Sequence, residues 1–354
     1  MRTLSKKQIN LLSEICETPG APGFEDPIRK VVIREIKKTA DHFSIDNMGN
    51  VIAFKKGKSS DKKVMIGAHM DEIGFIVTHI DDNGFLYFNP LGGFDPKTLT
   101  SQRVIVHGEK DLIGVMGSKP IHVMTPEERT KTVKLTDFFI DLGMGKKEVE
   151  KYISVGDPIT RQRKLIEMGN CVNCKSIDNR VSVFILIEAF KKLKNPAYDV
   201  YGVFTVQEEV GVRGAQVATL QIQPDFGIGL DTTIAYDLPG AQPQETITKL
   251  GEGTAIKIMD GMTICDSRMV RFMKQTADMA KIKWQPEILP AGGTDTAGIQ
   301  RMTAGGSIAG AISIPTRHLH QVIEMADKND IKESINLLDE CLNSLDKFNW
   351  EYEQ

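Results

Sequence analysis

The sequence predicts an α/β protein in which one domain is assembled from both ends of the chain and interrupted by a β-rich insertion. Short, almost unbroken apolar runs, "KKVMIGAHMD", "DVYGVFTV", "PDFGIGL" and "GSIAGAISI", alternate with longer segments of helical spacing. Strands covered on both faces by helices read this way. From about residue 74 to residue 163 the texture changes to short alternating runs, "FIVTHI", "FLYFNP", "RVIVHG" and "LIGVMG", separated by Gly, Asn and Asp. That is the pattern of a small unit of half-buried strands. At 354 residues the chain is long enough for a large α/β domain carrying such an insertion.

In order along the chain, the first helix is expected over Ser5 to Glu17. "TPGAPGFEDPIRK" breaks it and caps a second helix over about Asp26 to Thr39. "HFSIDNMGNVIAFKKG" alternates around an Asn/Gly turn and predicts a hairpin, followed by the central strand "KKVMIGAHMD". Beyond the insertion, "RVSVFILIEAFKKL" reads as an amphipathic helix and the three remaining apolar runs as buried strands. The last helix, about Asp330 to Phe348, carries Ile331, Ile335, Leu338 and Leu342 at helical spacing. The expected domains are therefore residues 1–73 together with 164–354, and the insertion 74–163.

Composition excludes several classes of function. A formal net charge of -3 gives no electrostatic reason to expect nucleic acid or an anionic membrane as partner. The N-terminus reads as an amphipathic helix rather than a secretory signal. No segment approaches the roughly 18 unbroken apolar residues of a membrane span. The five cysteines, Cys16, Cys171, Cys174, Cys265 and Cys341, are odd in number and scattered, which suits a reducing cytoplasm. "CVNC" is a lone CxxC without a second pair, and is expected to be two inert thiols beside a strand.

The stretch "VMIGAHMDEIGFIV" places His69, Asp71 and Glu72 inside an apolar run. Buried charges are costly unless paired or bound to a metal. Further candidates lie just past predicted buried strands: Glu208 and Glu209 after "VYGVFTVQ", Asp231 at the end of "FGIGL", and His320 after "GAISIPTR". Asp178 precedes the helix at 181, where a positive helix terminus favours its ionised form. In open α/β sheets, functional sites gather outside the carboxyl ends of the strands. Each residue alone has an ordinary reading: a hydrogen-bonded core histidine, an acid paired with Arg180, a solvated "EE" turn.

Together their chemistry closes around two divalent cations. Three carboxylates and two neutral imidazoles leave about one unit of positive charge, which a bridging hydroxide neutralises while serving as nucleophile. Adjacent residues leaving a strand point to opposite sides, so the two acids of the "EE" pair can face different surroundings. Glu72 reads as a solvated or ion-paired acid.

The set "AHMDEIG", "SIDNR", "VQEEVGVRGA", "GLDTT", "GGTDTAGIQ" and "IPTRHLH" resembles the dinuclear metallo-aminopeptidases of the tetrahedral-assembly (TET) type, which include glutamyl and deblocking aminopeptidases. The likeness runs through nearly the whole chain, including "GSKPIHVMTPEERTK" and "DFFIDLGMGKKEVEKYISVGDPI" of the insertion. It implies a zinc-peptidase-like α/β/α sandwich with an inserted small β-barrel of PDZ type. It also implies two divalent metal ions per subunit, zinc in the first place with cobalt or manganese as substitutes.

Carried over residue by residue, the resemblance gives one metal to His69 and Asp231, the other to Glu209 and His320, and makes Asp178 the bridge. Glu208 becomes the general base, and Asp71 orients the His69 imidazole. The implied reaction removes N-terminal residues from short peptides with a free amine. The implied assembly is a homo-oligomer, a tetrahedral dodecamer built through the insertion. Ser182 stands where the family usually has glycine, and His318 and Gln321 where Tyr and Ser are common. These departures bear on the pocket's shape, and they leave His318 as a competitor to His320, which the family register favours. Gly292 and Gly293, before Thr294 and Asp295, suggest a tight loop beside the substrate. The alternatives are a deacylase or other amidohydrolase on the same metals, or a glycoside hydrolase using Glu208 and Glu209. The last would leave the histidines and aspartates idle.

Overall fold

The computed structural model describes residues 3–321 and 323–352. Its centre is four neighbouring parallel strands in the order Tyr198–Thr205, Ser59–His69, Phe226–Ile234 and Ile308–Arg317. Antiparallel strands extend this core into an 11-stranded sheet. The hairpin His42–Ile45 and Val51–Lys55 lies on one side, and Glu324–Asp327, Cys171–Cys174 and Ile166–Met168 on the other. Thr254–Met259 also pairs with Ile308–Arg317 and carries Trp284–Ile288 alongside it.

The apolar runs are uninterrupted because both faces of the sheet are covered. Val64, Ile66 and Ala68 join the larger core, whereas Met65 points to a second cluster with Val203, Ala218, Ile222 and Ile299. This is the alternation a strand imposes. Helices Ile177–Lys192 and Lys328–Ser344 pack on the first face, and Arg213–Ile222 and Asp295–Arg301 on the second. Glycine in the central strands permits the second contact: a Cβ on Gly229 would come within 1.9 Å of the Thr296 hydroxyl.

Between Gly74 and Arg161 the chain leaves the sheet and closes a six-stranded antiparallel barrel with its own core, including Phe75, Val77, Leu86, Val104, Val106, Ile140 and Ile159. The fold is thus the expected α/β sandwich with an inserted small barrel.

Some local expectations need correction. The second helix is Asp26–Ile36 and stops short of Thr39. Ile177–Lys192 is not amphipathic: Ile177 to Ile187, Ala189 and Phe190 are all buried. It lies between the sheet and helices Lys6–Glu17, Asp26–Ile36 and Lys328–Ser344, so it has almost no solvent face. Asp231 does not end its strand, which continues to Ile234. Cys171 and Cys174 sit three residues apart on a strand and therefore face opposite sides. Cys174 joins Cys16 in the core while Cys171 is only partly covered, and all five cysteines are free thiols. Among the described residues no helix is long and apolar enough to cross a membrane.

Candidate active site

The four central strands run the same way, so their carboxyl ends form one edge. His69 is the last residue of its strand and pairs with Thr205, three residues before Glu208. Asp231 lies two residues past Gly229, the partner of Gly67, and so comes level with His69 on the adjacent strand. His320 follows the strand that ends at Arg317. Asp178 enters from the start of the buried helix, where it and Asn179 depart from helical angles.

The Asp178 carboxylate stands between the two imidazoles. Its Oδ1 is 3.3 Å from His69 Nε2 and its Oδ2 is 3.1 Å from His320 Nε2. Asp231 Oδ1 lies 3.7 Å from His69 Nε2, and Glu209 Oε2 lies 3.4 Å from His320 Nε2. Two groups of metal-competent atoms result, His69 with Asp178 and Asp231, and Asp178 with Glu209 and His320, each spanning no more than 4.8 Å. Glu208 Oε2 is 3.8 Å from His69 Nε2. The residues face a cleft of about 400 Å³.

This crowding has an electrostatic signature. Burial drives Glu208 well above the usual carboxylate range, and neighbouring acids add to the effect against the opposing pull of His69. Burial likewise pushes Glu209 up to about 8 and raises Asp231, each opposed by its histidine. For His320, burial disfavours the charged ring, but Glu209 and Asp178 win and lift it to about 10. His69 is raised for the same reason by Asp231 and Glu208. Asp178 alone is lowered: burial opposes its ionisation, but contacts with His320 and His69 outweigh it. A buried set that crowds carboxylates against imidazoles is balanced by bound cations better than by protons. The buried Asp178 Oδ1 and Glu209 Oε1 have no hydrogen-bond partner, leaving lone pairs for such a cation. The donor set fits a divalent metal pair.

Supporting groups surround these ligands, and apart from Asp71 they were outside the sequence reading. Asp71 stands 3.4 Å from His69 Nδ1, a contact too poorly aligned to count as a hydrogen bond. Its two oxygens also accept the backbone N–H groups of Glu208 and Glu209, both at 3.0 Å. Asp71 therefore fixes the "EE" turn as well as facing the imidazole. Glu25 accepts Gln207 N–H at 3.1 Å on the same turn. Glu324 accepts Asp178 N–H at 2.8 Å and has Arg161 of the barrel 3.7 Å away. Arg161 also donates to the carbonyl of Gln321. His320 Nδ1 lies 3.2 Å from the carbonyl of Gly93, again on the barrel side of the molecule. A carbonyl can only accept, so Nδ1 carries the proton and Nε2 is left for a metal.

The remaining expectations resolve as follows. Glu72 is fully buried and ion-paired with Lys175 and Arg180, so its solvated alternative is excluded. Arg180 thus pairs with Glu72 rather than Asp178. His318 lines a separate recess with Lys97 and Gln102, leaving His320 as the histidine in the cluster. Gly292 and Gly293 line the cleft beside the metal-competent groups.

Residues 49–337 match the family described as M42 glutamyl aminopeptidase. The chain belongs to this family. A provisionally named aminopeptidase of Acetivibrio thermocellus is 40% identical over 94% of the chain and 98% of its own length. The lysyl aminopeptidase of Pyrococcus furiosus is 32% identical over 95% of the chain and 96% of its own. Among solved structures, an aminopeptidase of the archaeon Desulfurococcus kamchatkensis superposes with a TM-score of 0.92 at 37% identity, covering 96% of this chain and 95% of that one. The TET1 peptidase of Pyrococcus horikoshii, which assembles into a tetrahedron or a large octahedral shell, gives 0.85 at 30% identity over 95% and 99% of the two chains. This M42 protein is a metal-dependent aminopeptidase.

Proposed function

We propose that the protein removes N-terminal residues from short, unblocked peptides at a centre in which His69 and Asp231 hold one divalent ion, Glu209 and His320 hold a second, and Asp178 bridges them. The observation that carries this reading is the division of the Asp178 carboxylate, one oxygen toward each histidine. Zinc, cobalt or manganese suits such mixed imidazole and carboxylate donors. When bound, the ions supply a Lewis acid for the scissile carbonyl and a water acidified toward neutral pH.

The chain's own groups do the rest. Glu208 is the proposed general base: it lines the cleft beside the metal-competent groups without belonging to either. A carboxylate there can take a proton from the attacking water and pass it to the leaving amine. Asp71 acts through others, fixing the turn that separates Glu208 from Glu209. The carboxylate-rich wall favours a cationic α-amine, and a blocked amine would leave those acceptors unsatisfied. We further propose that residues 74–163 form an assembly domain, that the protein is a homo-oligomer of the kind TET1 forms, and that it works in the cytoplasm, where its free thiols remain reduced.

The test is one leucyl peptide assayed with and without an N-acetyl cap, on protein stripped by a chelator and then reloaded with zinc, cobalt or manganese. Reloading should restore activity, and the cap should slow cleavage at least tenfold, about 1.4 kcal/mol in transition-state stabilisation. Equal rates on capped and free peptide would replace the aminopeptidase with a deacylase or endopeptidase. Full activity of verified metal-free protein would remove the metal centre from the mechanism.

A further inference from the structure

The cleft is lined by two chemically distinct sets of residues. One is the metal-competent set with Glu208. The other is an apolar wall, Val212, Ile234, Met262, Leu289, Ala291 and Leu319, together with Gly292 and Gly293. Ile234 and Met262 keep 36% and 43% of their surface exposed, so apolar area is available for a ligand to cover. No lysine or arginine lines the cleft among the described residues, and every acid that does belongs to the proposed metal ligands or is Glu208.

Two of the basic groups nearby, Lys257 and Arg317, are committed to ion pairs. Lys257 is fully buried, 2.8 Å from Asp260 and 3.4 Å from Glu287. Arg317 forms an ion pair with Asp237 at 2.6 Å. Arg213, next to Val212, is exposed, does not line the cleft, and donates to the Gln207 side chain at 3.3 Å.

The buried Lys257–Asp260 pair shapes the apolar wall instead of reading substrate charge. Asp260 Oδ1 accepts the backbone N–H groups of Met262 at 2.9 Å and Thr263 at 2.7 Å. Its Oδ2 takes Lys257 Nζ at 2.8 Å and, more weakly, the Thr294 hydroxyl at 3.4 Å. One carboxylate thus ties together the two lips of the pocket, residues 260–263 and the loop leading to Thr294. The lips meet closely: a Cβ on Gly293 would fall 2.2 Å from Met262 Sδ. Gly292 has φ +78°, a conformation that glycine adopts at little cost. The wall is therefore preorganised before any substrate arrives.

We propose that this wall is the pocket for the substrate's N-terminal side chain, and that it selects uncharged aliphatic residues such as leucine and methionine over glutamate, aspartate, lysine and arginine. The proposal rests on the aminopeptidase reading and specifies its substrate class. A charged side chain placed there would lose water without gaining a partner, whereas an aliphatic one covers exposed apolar surface.

The experiment has two arms. In the first, kcat/KM is measured on aminoacyl p-nitroanilides of Leu, Met, Glu and Lys with metal-loaded protein. Leu and Met should exceed Glu and Lys by at least tenfold, and Met262→Lys should narrow the Leu-to-Glu ratio by a similar factor. A Glu or Lys substrate equal to or better than Leu overturns the proposal while leaving the aminopeptidase standing. In the second arm, calorimetry measures binding of leucine, glutamate and lysine, which carry no amide bond to cleave, to the same protein. Leucine should bind at least tenfold more tightly; equal or reversed affinities overturn the proposal. If no anilide is hydrolysed, the aminopeptidase reading falls, and the calorimetry still decides the chemistry of the pocket.

Discussion

His69 and Asp231 stand on adjacent parallel strands, with only 2% and 7% of their side chains exposed. Glu209 and His320 stand on loops, and the His320 side chain keeps 39% of its surface. The first pair is held by the register of the sheet, because Gly67 and Gly229 pair two residues earlier and no loop intervenes. The second pair is held by hydrogen bonds gathered from elsewhere. Asp71 fixes the turn under Glu209, and the Gly93 carbonyl faces the His320 ring. The two halves of the proposed centre therefore differ in what must stay folded to keep them. One needs the sandwich alone, and the other also needs the barrel.

The sharpest way to break this comparison is to remove one imidazole from each half. His69→Ala should abolish tight binding of at least one metal and reduce activity to background, with no recovery in excess zinc. The lost ligand lies in a buried site where water cannot easily replace it. His320→Ala should also lose an ion on dilution, but millimolar metal should restore a measurable part of the activity, because solvent already reaches that position. Metal content by mass spectrometry, with melting temperature as a control for folding, reads both. The opposite order of rescue would mean that burial does not decide which half retains its ion.

A smaller effect is expected within the "EE" pair, where the two side chains divide between proton transfer and binding. Glu208→Gln should leave metal content unchanged and lower kcat by about 10²–10⁴, the usual contribution of a general base. Glu209→Gln should lose metal first, because an amide is a weaker and neutral donor. Identical metal content in the two variants would show that the turn does not separate the roles.

The two halves also differ in how visible they were in the sequence. The strand-borne half is written as apolar runs, and "VMIGAH" and "FGIGLD" announce both the strand and the polar residue it carries, although the second strand runs on to Ile234. Glu209 and His320 were singled out because they follow similar runs, and motif resemblance then assigned their roles. What supports them was not legible. A backbone carbonyl such as that of Gly93 has no sequence signature, and Arg161 lies 160 residues from the Gln321 carbonyl it meets. Glu324 was hidden for the same reason: its partner, the Asp178 amide, is 146 residues away. Local pattern also misled at the helix Ile177–Lys192, which was read as amphipathic. Other helices cover its outer face, and only the tertiary packing reveals it.

The subtlest expected effect tests whether the barrel reaches the site. Arg161 belongs to the last barrel strand and is 3% exposed. Its guanidinium donates to the carbonyl of Gln321, one residue after His320, and faces Glu324, which in turn receives the Asp178 amide. Removing the charge while keeping much of the volume, as Arg161→Met does, frees both contacts without opening a large cavity. The affinity for the more weakly held ion should then fall by about 10–100-fold, the usual consequence of losing a partner behind a metal ligand. The more tightly held ion should lose less, because His69 and Asp231 keep their positions without the barrel and only the shared Asp178 carries the change to it. A metal titration followed by calorimetry separates the two. A general loss of packing would lower the melting temperature and weaken both ions together. A selective loss at one ion would show that the barrel orients the loop-borne ligands as well as serving assembly. Unchanged affinity at both ions would confine the barrel to assembly and leave the loop-borne half supported by the sandwich alone.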